Sequence, residues 1–121
     1  MLVKKISLSH YFGKCLLVVN ADHDEFSAWL KRIFGVKPAS DSPGQMLPMV
    51  KDGETPTYVI YLQRFNWRID EQALAVHELF HLCGAVLKDA GVRDEEAAAY
   101  FLQHLVSEAW LALSSLNHKT N

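Results

Sequence analysis

Residues 77–81 read His-Glu-Leu-Phe-His. On a helix, positions 77 and 81 lie one turn apart on the same face, so two imidazoles there are placed to donate to a single ion. Glu78 is turned about 100° from His77 around the axis, which brings its carboxylate toward a water held by that ion. A divalent metal makes its bound water more acidic, and an adjacent carboxylate takes the proton. A helical His-Glu-x-x-His is therefore what metal-assisted hydrolysis needs. The expected cofactor is one Zn²⁺, with His77 and His81 as ligands and Glu78 as general base.

These residues need a helix, and the helix needs a partner layer. The pattern predicts a helix capped by Asp70 that runs through Ala73, Leu74, Val76, His77, Phe80, His81 and Val86 and ends at Gly91 as its C′ residue. Asp94 caps a second helix, with Glu95 and Glu96 in a first turn that favours negative charge. Its apolar set is Ala98, Phe101, Leu102, Leu105, Val106, Ala109 and Leu113. Upstream, Thr57–Leu62 is the strongest strand in the chain, and residues 14–20 form another, with residues 6–9 as hairpin partner across Gly13. Between the strands, Asp22 caps a helix carrying Phe26, Trp29, Leu30, Ile33 and Phe34, which closes at Gly35. Residues 45–50 read as an edge strand interrupted by Pro48, residues 51–54 as a turn, and residues 117–121 as a fraying tail. The fold class expected is α+β: a small, mostly antiparallel sheet with the His-Glu-x-x-His helix packed against a C-terminal helix.

The totals agree with a soluble protein. The chain has 121 residues, enough for one domain over residues 1–121 with its own core, and a net charge of −2. It has no basic stripe, which argues against nucleic acid as partner. It has no apolar run long enough to span a bilayer and no leader core, so a cytoplasmic location is expected. Cys15 and Cys83 are too few and too far apart for a disulfide framework or a zinc knuckle and read as core residues. His10, His23 and His118 read as surface residues, and Trp29, Trp67 and Trp110 as packing residues.

The order strand, His-Glu-x-x-His helix, turn, acid-led helix resembles the zincin metallopeptidases, in particular the gluzincins. The segment Glu95-Glu96-Ala97-Ala98-Ala99-Tyr100-Phe101 is similar to one found in small zincins that accompany phage-type repressors. It is closer still to a Glu-Ala-x-Ala-Tyr segment of small proteins from tailed-phage and prophage genomes. The resemblance covers residues 57–106 and implies a zincin-like minimal fold, peptide-bond hydrolysis in a bacterial host cell, and a peptide or protein partner. It makes Glu96 the third ligand, with Glu95 as its neighbour in reserve. It also implies that the strand Thr57–Leu62 pairs with substrate backbone. The alternative function is a non-catalytic, metal-binding structural or interaction protein of a phage.

The pattern departs from the metzincins, because Leu87 stands where their third histidine would be. The spacing also leaves the third ligand open. In a plain antiparallel hairpin turning at residues 91–93, Glu96 comes level with Lys88, roughly 11 Å along the axis from His81, and His104 comes level with His81. Glu96 reaches the ion if the first helix stops near Gly84 or the helices cross steeply. Otherwise His104 is the third ligand. Tyr100 shares a helix face with both and is a candidate to donate a hydrogen bond to a tetrahedral oxyanion.

Overall fold

The computed structural model describes residues 1–49 and 54–116. The expected turn at 51–54, apart from Glu54, and the expected tail, with His118, lie outside the described residues. The elements in order are β1 (Leu2–Ile6), β2 (Lys14–Val19), α1 (His23–Phe34), β3 (Gly44–Met49), β4 (Thr57–Leu62), α2 (Ile69–Asp89) and α3 (Glu95–Leu113). The class is α+β, built on one four-stranded mixed sheet of order β1-β2-β4-β3.

Two of the three strand pairings are antiparallel, β1 with β2 and β3 with β4. The central pair, β2 with β4, is parallel. Parallel neighbours need a long crossover, and here α1 and β3 supply it. β1 begins earlier than the sequence pattern suggests. Its register pairs Ile6 with Cys15, so residues 7–13 become a connecting loop in which Ser9 takes a positive φ of 60°.

Strand alternation divides the core between the two faces of the sheet. Tyr58, Ile60 and Leu62 of β4 face one layer together with Cys15, Leu17 and Val19 of β2. α2 and α3 cover that face with Leu79, Leu82, Val86, Phe101 and Leu105. Val18, Val59 and Tyr61 point the other way and meet Phe26, Trp29 and Leu30 of α1. The β4 run Thr-Tyr-Val-Ile-Tyr-Leu is buried throughout, and apolar from Val59 on apart from the Tyr61 hydroxyl, because both of its faces are covered.

α1 follows its sequence signals closely. Asp22 Oδ1 accepts from Glu25 N at 2.8 Å, and Glu25 Oε1 accepts from Asp22 N at 3.1 Å, forming a capping box. Gly35 ends the helix at φ 70°. Ile33, however, is exposed rather than part of the apolar face.

α2 starts differently from expectation. The cap position is Arg68, and Asp70 sits inside the first turn. Arg68 has no side-chain acceptor, so Glu71 does the capping: its Oε1 accepts from Asn66 N at 2.6 Å and Arg68 N at 3.2 Å. Gln72 Nε2 donates to Trp67 O at 2.8 Å. The same loop is tied to the end of β2, where the Asn20 side chain bonds both Phe65 N and Phe65 O. At its other end α2 does not stop near Gly84. It runs to Asp89 and closes with a Schellman motif, Val92 N donating to Leu87 O and Gly91 N to Lys88 O, with Gly91 at φ 72°.

Among the described residues, no helix is long and apolar enough to cross a membrane.

Candidate metal centre

The rotation of α2 about its axis decides where the motif points. Glu71, Ala75, Glu78, Leu79, Leu82, Val86 and Leu87 face inward, and Val76, His77, Phe80, His81 and Gly84 face solvent. Turning the helix to bury the histidines would expose Leu79, Leu82 and Val86, at about 1.5–3 kcal/mol each. The pair is therefore held outward by the core beneath it. Gly44 fixes the seat of the helix on β3. A Cβ there would come within 3.0 Å of the Leu74 side chain, so glycine lets β3 and α2 approach closely.

His77 Nε2 and His81 Nε2 lie 3.2 Å apart, with the rings edge to face. Without metal, one ring donates its Nε2–H to the lone pair of the other. The same two nitrogens suit an ion, because two ligands about 2.0–2.1 Å from a tetrahedral Zn²⁺ are separated by about 3.3 Å. On this test the imidazole pair fits two positions of a tetrahedral sphere.

Glu78, near enough to feel the fields of both histidines, is 6 % exposed. Its side chain forms no hydrogen bond among the described residues. No fully buried side-chain oxygen in that set lacks a partner, so the Glu78 oxygens retain access to solvent. Burial raises its pKa above the usual carboxylate value of 4.5, and the fields of His77 and His81 offset part of that rise.

The remaining candidates are placed elsewhere. Among the described residues, no third His, Cys, Asp or Glu joins the pair in a group able to hold an ion. Cys83 Sγ points to Ala98 O at 3.6 Å, which sets the level at which α3 passes α2. Glu96 is exposed in the first turn of α3, where its N–H donates to Asp94 Oδ1 at 3.2 Å. Glu95 is the acid that borders α2, sharing a shallow groove with Gly84, Leu87 and Lys88. His104 faces away from the pair, and its Nε2 donates to Ser7 O at 2.9 Å. Tyr100 lines a cleft of about 300 Å³ with Ser9, His10, Tyr11, Ala97, Phe101 and His104. That lining takes in the first hairpin and α3 but no residue of α2. The sheet brings this about, since α3 covers the β1 side and α2 covers the β3 and β4 side of the same face.

Two further features bear on the site. β4 lies between β2 and β3, so both of its edges are paired and it has none to offer a peptide. The edge strand on the α2 side is β3. Phe80, grouped with the apolar face by its residue type, is 63 % exposed with its ring centroid 6.3 Å from that of His81. Its position carried the signal: it is three residues from His77 and one from His81, and Leu79, Leu82 and Val86 define a different face.

Comparison of the chain with protein-family models, curated proteins and solved structures finds no match.

Proposed function

We propose that this protein is a zinc-dependent hydrolase that cleaves peptide bonds, with His77 and His81 holding the ion and Glu78 as general base. The observation that carries the reading is the convergence of two imidazole nitrogens at 3.2 Å beside a carboxylate with no hydrogen-bond partner among the described residues. Zinc bound there would supply Lewis acidity and lower the pKa of a coordinated water.

The chain's own groups would then do the following. His77 and His81 orient the ion from the rigid outer face of α2. Glu78 removes a proton from the attacking water and delivers it to the leaving amine. β3, whose outer edge pairs with no described strand, offers backbone groups to an extended peptide. Phe80 gives an exposed ring beside the site for an apolar side chain of the substrate. The resemblance of residues 57–106 to small phage and prophage zincins is what supports the further part of this proposal, that the protein acts in the cytoplasm of a bacterial host.

A second reading is a structural metal site in a phage interaction protein. It is favoured by the count of donors: a catalytic zinc takes three protein ligands, the pair has no third among the described residues, and donors from a partner protein would close the sphere. Glu78→Gln separates the two. A hydrolase loses at least a hundredfold in peptide cleavage, within the range general-base catalysis supplies, and keeps its zinc. A structural site keeps both zinc and thermal stability in this variant, and no cleavage is seen in the parent protein.

A further inference from the structure

We propose that a second copy of this chain completes the coordination of the ion, with His77 and His81 of two antiparallel α2 helices supplying four imidazoles across a two-fold axis. This rests on the metal-binding reading above and goes beyond it by naming the source of the missing donors.

Four observations on one face of α2 carry the inference. The two nitrogens supply half of a tetrahedral set, and no described residue of the same chain supplies more. A two-fold axis through the ion turns two donors into four with no further residue required. Next to the pair, Phe80 is an exposed apolar side chain. Gly84 is exposed, and an added Cβ there would meet nothing within 4 Å, so the helix face has no side chain at that position to hold a second helix off. Finally, the face is charge-complementary to itself. Asp70 and Lys88 lie nine residues to either side of Leu79, the midpoint of the histidine pair. At about 100° per residue both fall on the histidine side of the helix. In an antiparallel pair centred on the ion, Asp70 of each copy therefore meets Lys88 of the other. Within the chain, Asp70 makes a 3.3 Å contact with Arg68, both side chains largely exposed. Lys88 borders the groove that holds Glu95 and forms no ion pair among the described residues.

The bridged form has a functional consequence. One ion shared by two chains is fully coordinated and leaves no open position for substrate, whereas one ion per chain is open. The dimer is the resting form of the site, favoured when zinc is scarce relative to protein.

The test is a titration of the metal-stripped full-length chain with zinc sulfate, following molar mass by sedimentation equilibrium and bound zinc by atomic absorption. The expected result is a doubling of mass that is complete at one zinc per two chains. His81→Ala should abolish it. Lys88→Glu should weaken the zinc-dependent dimer about tenfold, and adding Asp70→Lys to that variant should restore it. Zinc that binds at monomer mass while it is still below one per two chains overturns the bridge while leaving the proposed hydrolase intact. Absence of zinc binding overturns both. Dimerisation that persists without zinc or in His81→Ala, or a charge swap that fails to restore it, overturns the arrangement proposed for the interface.

Discussion

Glu78 sits in a setting unlike that of a surface carboxylate. Its folded pKa is raised by burial, so the folded chain holds the proton more tightly than the unfolded chain does. The stabilisation from that proton is complete below the unfolded pKa and is lost as pH rises through the folded value. Glu78→Gln, which keeps the neutral shape, should therefore raise the melting temperature of the metal-free protein. The gain should be larger at neutral pH than in acid below the carboxylate range. Thermal melts across pH measure this, and a lower melting temperature for the variant at neutral pH would contradict it. The two imidazoles and this carboxylate were legible from five consecutive residues, because a helix places neighbours by sequence spacing alone. The burial of Glu78 was not legible, since it depends on how far the helix sinks against the sheet.

At the scale of elements, the contact of α2 with β3 is the one that sets the site. Gly44→Ala places a methyl against Leu74 and should destabilise the protein by about 1–3 kcal/mol, the usual cost of overpacking. Leu74→Ala in the same chain should recover part of that loss, which denaturant unfolding of both variants would reveal. Equal losses with and without the second change would show that the strain lies elsewhere. The cap of α1 was readable because Asp22 and Glu25 bond only to nearby backbone. The start of α2 was misplaced by two residues. Asp70 has the type of a cap, but Glu71 reaches back to Asn66 and Arg68 and takes that role.

Across the whole molecule, one sheet is shared by two apolar layers. Ile60 faces α2 and α3 and Val59 faces α1, and both are fully buried. Ile60→Ala should cost about 2–5 kcal/mol, and Val59→Ala should also destabilise, although their side chains lie in separate layers. Both variants should unfold in a single transition with coincident far-ultraviolet and tryptophan signals. Trp29 reports the α1 layer and Trp67 and Trp110 the other, so separated transitions would show that the layers unfold independently. Cys15, whose thiol is pushed up to about 12 by burial, and Cys83 are both buried, free thiols, as their spacing suggested.

Sequence alone determined the parts governed by local geometry. Residue types and period settled the strands at Thr57–Leu62 and β2, the three helices, their glycine ends at Gly35 and Gly91, and the pairing of His77 with His81. The relations between elements were decided only by tertiary structure. The parallel pairing of β2 with β4 made β4 an interior strand and left β3 on the edge. The full length of α2 and the seating of α3 against β1 carried His104 and Tyr100 toward the first hairpin and left Glu96 in solvent. The reason is physical: hydrogen bonding along a helix fixes which residues share a face, but the direction in which a neighbouring helix crosses follows from where each can bury its apolar stripe on a common sheet.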